Sequence, residues 1–120
     1  MATILVVEDT ETVRVAVCRI LKRAGHCAVQ ACNGMEAVEY LVANHGNVDL
    51  IISDLRMPFM DGLGLLEWLV GAFPDAHSKF IFHTGSSEEI DKSPFPKTRR
   101  IDKPCDPSQF MSTVLEALKA

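Results

Sequence analysis

Nowhere in the 120 residues does an apolar run approach the roughly 20 that a membrane span needs. The first residues, Met1 to Asp9, carry no basic segment and reach Glu8 and Asp9 early. That is not the pattern of a secretory leader, and neither export nor membrane contact is expected. Basic charge is not in excess either. Twelve Lys and Arg stand against 16 Asp and Glu, a net charge of −4. A nonspecific nucleic-acid binder wants a basic face, so no direct nucleic-acid contact is expected. The four cysteines, Cys18, Cys27, Cys32 and Cys105, show no CxxC spacing and no histidine cluster beside them. A zinc site or disulfide framework is not expected, and reduced thiols in a cytoplasmic protein are. Internal repeats, low-complexity tracts and linkers are missing as well. The length then suits one domain over residues 1–120.

What is present is a core. Hydrophobic residues make up 48% of the chain, enough to bury a real interior. Short β-branched runs alternate with helical patterns. Thr3 to Val7 reads as a buried strand. Thr12 to Ala24 follows as a helix, with Val13, Ala16, Val17, Ile20 and Leu21 at helical spacing and Gly25 as its stop. Cys27 to Ala31 is a weaker strand. Asn33 with Glu36 resembles a capping box, opening a helix with Ala37, Val38, Leu41 and Val42 on its apolar face. Val48 to Ile52 is a third strand, and Asp54 to Gly62 a loop. Leu63, Leu66, Leu69 and Val70 mark a third helix ending by Gly71 to Pro74. Lys79 to His83 is a fourth strand, and Thr98 to Ile101 a short fifth. Asp106-Pro107-Ser108-Gln109 starts the last helix with a cap and a first-position proline. Phe110, Val114 and Leu118 are its buried stripe.

Strands alternating with helices imply parallel pairing and right-handed crossovers. The expected fold is α/β, a flavodoxin-like doubly wound (βα)5 with a five-stranded parallel sheet in the order 2-1-3-4-5. The fourth helix is expected to be short or irregular. In such folds chemistry sits beyond the carboxyl ends of the strands. Those ends hold Glu8-Asp9, Ser53-Asp54, Thr84-Gly85-Ser86 and Asp102-Lys103-Pro104. Each has a bland reading: Asp9 as a helix cap, Asp54 and Thr84 as turn formers, Lys103 as a solvated lysine. Together they gather three acids, a hydroxyl and a lysine on one rim. Carboxylates so placed repel unless a cation compensates. Mg²⁺ suits that need, taking one or two carboxylates and favouring phosphate oxygens. Asp54 could then attack phosphorus, with Lys103 and Thr84 meeting the phosphoryl oxygens.

These residues resemble the receiver domain of two-component response regulators over essentially the whole chain. The carriers are Ile4 to Asp9, Asp49 to Pro58 with Met60-Asp61-Gly62, then Thr84-Gly85 and Lys103-Pro104. The resemblance implies that Asp54 is the phosphorylated aspartate. It implies Mg²⁺ held by Asp9 and Asp54, with Glu8 helping and the Arg56 backbone carbonyl as a further ligand. Thr84 and Lys103 would contact the phosphoryl group, and the Lys103–Pro104 bond would be cis. Arg56 and Ser86 would tune hydrolysis. The donor would be a phosphohistidine on a histidine kinase or histidine phosphotransfer protein. Phosphorylation would switch binding of a downstream protein or relay the phosphate, in a signalling switch that catalyses its own phosphorylation and slow dephosphorylation.

Two departures stand out. The family usually has Tyr or Phe three residues before the lysine, and here that residue is Arg100. Ser86 to Lys97 is short, with Pro94 and Pro96, and is expected to be loose until phosphorylation or a partner orders it. The main alternative is a phosphorylation-independent, receiver-like interaction module. A nucleotide or flavin binder would want a phosphate-cradling loop where Glu8-Asp9-Thr10-Glu11 stands. A phosphohydrolase would want an acid where Arg56 stands. Of the other residues, His83 reads as structural, His26 and His45 as solvated turn residues, and Trp68 as core edge. Lys97, Arg99 and Arg100 read as a solvated strand edge. Val13, Val17, Leu21 and Phe59 fit either core or a docking surface.

Overall fold

In the computed structural model, which describes residues 1–120, the β-branched runs pair side by side. The strands are β1 (Thr3–Val7), β2 (Cys27–Ala31), β3 (Leu50–Ser53), β4 (Phe80–Thr84) and β5 (Arg99–Asp102). They form one parallel sheet in the order β2-β1-β3-β4-β5, as the alternation predicted. The helices are α1 (Glu11–Arg23), α2 (Gly34–Ala43), α3 (Gly62–Ala72), α4 (Ser87–Asp91) and α5 (Pro107–Lys119). No helix is long and apolar enough to cross a membrane.

Alternation along each strand splits the interior into two cores. Leu5, Val7, Ile51, Phe80 and Phe82 face α2, α3 and α4, meeting Leu41, Leu65, Leu66, Leu69 and Ile90. Ile4, Val6, Leu50, Ile52, Ile81 and Ile101 face α1 and α5, meeting Val17, Cys18, Leu21, Phe110 and Val114. A sheet covered on both faces needs apolar residues at successive positions, which is why β1 and β3 read as unbroken apolar runs.

Several details differ from the sequence reading. The inner stripe of α1 holds Val17, Cys18 and Leu21, while Ala16 is exposed. Cys18 behaves as a small hydrophobe. In α5, Ala117 is buried and Leu118 only half-buried. The third strand begins at Leu50, not Val48, and a 3-10 turn at Pro74–Lys79 precedes β4. Trp68 sits at the core edge as expected, edge-on to Phe73 with centroids 6.0 Å apart. His26 is half-buried, and its Nδ1 accepts a hydrogen bond from the Ala2 N–H at 3.1 Å.

Caps place the helices. Asn33 accepts from the Glu36 N–H, and Glu36 returns to the Cys32 N–H at 2.9 Å, one residue beyond a standard box. Asp61 caps α3 and Asp106 caps α5. Gly62 must lack a side chain, because a Cβ there would lie 2.3 Å from the Asp54 carbonyl oxygen. That contact brings α3 tight against the loop carrying Asp54.

Candidate functional site

The sheet ladder runs one step past the strands and pins the rim residues. The Glu8 N–H donates to the Ala31 carbonyl at 3.0 Å, Asp54 N–H to Val7 at 2.9 Å, and Lys103 N–H to Thr84 at 2.9 Å. Each acceptor is the last residue of a neighbouring strand. The backbone of three predicted site residues is thereby as fixed as the sheet. The Lys103–Pro104 bond is cis.

The side chains then converge. One carboxylate oxygen from each of Glu8, Asp9 and Asp54 lies within 4.8 Å of the others. Lys103 Nζ donates to Glu8 at 2.7 Å and to Asp54 at 3.2 Å. The other Asp54 oxygen accepts from the Leu55 N–H at 2.7 Å, which fixes the carboxylate's orientation. Asp9 is not spent as a cap: Thr10 holds the N-cap position of α1, leaving the Asp9 carboxylate exposed in the cluster. Thr84 is buried, and its hydroxyl oxygen accepts from the Ser86 N–H at 3.0 Å.

Burial pushes the Glu8 carboxyl above its ordinary value; the bond from Lys103 opposes that and the Asp54 charge adds to it. Burial alone would lower the Lys103 ammonium, but the bond to Glu8 and the charges of Asp54 and Glu8 outweigh it and hold it high. Lys103 is therefore a firm cation among acids that need one. The donor set consists of carboxylate oxygens on neighbouring strand ends, the hard ligands that Mg²⁺ prefers to nitrogen or sulfur.

His83 is structural, as its place in the strand predicted. Its ring stands edge-on to Phe110, centroids 5.4 Å apart. Burial, with the Lys103 charge, lowers its pKa from 6.5 to about 4. Between these values the unfolded chain binds more protons than the folded one. The stability so contributed is present above the unfolded value and lost as pH falls toward the folded one. His83→Gln is expected to remove that part of the acid sensitivity. The drop in urea midpoint between pH 7 and pH 5 should be smaller in the variant than in the native chain.

The region after β4 is better anchored than the sequence suggested. Ile90 is fully buried, and Phe95 packs edge-on to His77 at 5.6 Å. Arg100 is not a solvated edge residue. Its guanidinium donates to the Ser87 carbonyl (3.1 Å), Asp91 (2.6 Å), the Pro96 carbonyl (2.6 Å) and the Thr98 carbonyl (3.4 Å). The expectation of a loose Ser86–Lys97 segment does not fit these tethers. Arg56 pairs with Glu89, and Ser87 donates to Asp102. Neither contact had a sequence signal, since each joins residues far apart in the chain. Val17 and Leu21 are core, whereas Phe59 is 88% exposed, with a left-handed φ of 69°.

Fold and site together define a parallel α/β module with an acidic pocket and one paired lysine at the carboxyl ends of its strands. Residues 4–115 match the response regulator receiver domain family, and the chain belongs to it. Members are phosphoacceptor receivers of two-component signalling systems. The chain is 37% identical over 121 residues to sensor kinase CckA of Brucella abortus, covering 98% of this chain and 13% of that protein. It is 30% identical over 118 residues to chemotaxis protein CheY of Treponema pallidum, covering 97% and 82%. The receiver domain of sensor histidine kinase PA1611 from Pseudomonas aeruginosa superposes with a TM-score of 0.85 at 19% identity, covering 99% and 98%. It was crystallised with a magnesium ion coordinated in its active-site cleft. The chain thus spans 12–13% of the length of the first curated relatives it matches.

Proposed function

We propose that Asp54 accepts a phosphoryl group from a phosphohistidine on a histidine kinase or histidine phosphotransfer protein. The carrying observation is Lys103 Nζ bonded to both Glu8 and Asp54, inside a cluster of three carboxylates. In the transfer, an Asp54 oxygen forms a bond to phosphorus as the bond from phosphorus to the imidazole nitrogen breaks. The electron pair leaves with the imidazole. Glu8, Asp9, Asp54 and the Arg56 backbone carbonyl would hold Mg²⁺, which supplies positive charge against the phosphoryl oxygens. The Leu55 N–H holds Asp54 in place for attack. Lys103 neutralises charge on the oxygens. Thr84, whose oxygen accepts from Ser86, keeps its hydroxyl proton to donate to one of them.

The same groups would position a water for slow hydrolysis, so the domain would catalyse both its own phosphorylation and its reset. Its output would be altered binding of a downstream protein, or onward relay of the phosphate. The free cysteines support a reducing, cytoplasmic setting. Incubation with acetyl phosphate and Mg²⁺ is expected to add one phosphoryl group by intact mass, and none without Mg²⁺. Absence of an adduct together with absence of Mg²⁺ binding would overturn this reading. The chain would then be a phosphorylation-independent interaction module, the reading that the fourfold-tethered Arg100 favours.

A further inference from the structure

Four tethers hold the short α4. Ile90 enters the core. Arg100 of β5 takes Asp91 and the Ser87 carbonyl. The Ser87 hydroxyl donates to Asp102 at the end of β5. Arg56 takes Glu89. The first three join α4 to the core and to β5. The fourth differs in kind. Arg56 lies two residues beyond Asp54, on the loop that follows β3, and joins that loop to α4 across 33 positions of chain. Its side chain is 72% exposed and that of Glu89 39%. The pair is weak by placement, because exposed ion pairs gain little over hydration. A weak pair next to a site whose charge changes can be redirected.

We propose that Arg56 and Glu89 form a charge-operated latch between the phosphorylation site and α4. With Asp54 free, Arg56 is held by Glu89 and α4 is fastened to the site loop. Phosphorylation turns a carboxylate into a group of nearly twice the charge with three acceptor oxygens. A guanidinium matches such a group better than it matches a single carboxylate, because its planar donors can be shared between two oxygens. Arg56 then leaves Glu89 for the phosphoryl group, and α4 loses one of its tethers. Arg100 cannot make this exchange, since four acceptors already hold it. The latch rests on the reading of Asp54 as phosphoacceptor. It assigns Glu89 as a positioning residue that acts through Arg56.

The test is hydrogen exchange at the amides of Lys92 and Ser93, which close α4 onto the Glu88 and Ile90 carbonyls. Beryllofluoride with Mg²⁺ serves as the phosphoryl mimic, and its ¹⁹F resonance reports whether the site is filled. In the native chain, filling is expected to speed exchange by about two- to fivefold, the range that loss of one exposed ion pair allows. In Arg56→Gln and in Glu89→Gln, exchange should already be fast and should not respond to filling. Arg56→Glu combined with Glu89→Arg restores the pair with reversed sign. Slow exchange should return in that variant, and filling should not speed it, because a carboxylate at position 56 is repelled by the added charge. Native exchange that is unchanged with the site filled overturns the latch and leaves the phosphoacceptor reading standing. Equal acceleration in native and Gln variants also overturns it. A native site that never fills overturns the phosphoacceptor reading itself.

Discussion

Asp54→Asn is expected to abolish the Mg²⁺-dependent phosphoryl adduct while leaving the fold at least as stable. The amide keeps the carboxylate's shape and can still accept from the Leu55 N–H, the bond that orients residue 54. It has no anionic oxygen to attack phosphorus. The variant also removes one of three mutually repelling charges. The Asp54 charge helps to raise the Glu8 pKa, so its loss lets Glu8 ionise more easily beside Lys103. Urea midpoints should therefore hold or rise as the adduct disappears. An adduct that persists in Asp54→Asn, mapped to another residue by fragmentation, would move the phosphoacceptor elsewhere.

Lys103→Ala should produce the largest loss of stability among the site residues, and one that depends on pH and metal. Glu8 is 3% exposed and would lose its only cation. Leaving a buried charged group without its partner costs about 1–3 kcal/mol or more. The deficit has a direction in pH. Without Lys103 the folded-state pKa of Glu8 rises further above its unfolded value of 4.5. An acid with a raised folded pKa binds protons more readily when folded, so stability declines as pH climbs from the unfolded value through the folded one. The gap between native and variant should thus be wide at pH 8 and narrow at pH 5. Mg²⁺ should close part of it by replacing the missing charge and by binding only the folded chain. A gap equal at both pH values and indifferent to Mg²⁺ would mean that Lys103 contributes packing rather than charge.

Much of this was legible in the chain, for identifiable reasons. The strands at Thr3–Val7 and Cys27–Ala31 appeared at their observed limits because β-branched runs bounded by turn residues are local signals. The caps at Asn33 and Asp106 are local as well. The rim of Glu8, Asp9, Asp54, Thr84 and Lys103 could be assembled because a parallel sheet brings strand ends together whatever the loops do. What escaped was decided between distant segments. Cys18 displaced Ala16 from the inner stripe because helix rotation is set by the sheet and α5, not by α1 itself. Arg100 looked solvated because backbone carbonyls, three of its four acceptors, leave no mark in a sequence. The pairing of Arg56 with Glu89 depends on where α4 docks, and five residues carry too little periodicity to show that.

Glu8 and Lys103 meet across 95 positions of chain, and Lys103 meets Asp54 across 49. This separation sets an order in time. As the chain leaves the ribosome, Glu8, Asp9 and Asp54 emerge well before their cation, and β5 is the last strand of this sheet to be made. Until Lys103 arrives the acids have no compensating charge from their own chain, and contacts so distant form only after long loops have closed. A nascent chain that stops before β5 therefore lacks the cation that Glu8 and Asp54 share. The charge balance of the site is thus completed in one step, with β5, rather than accumulating strand by strand.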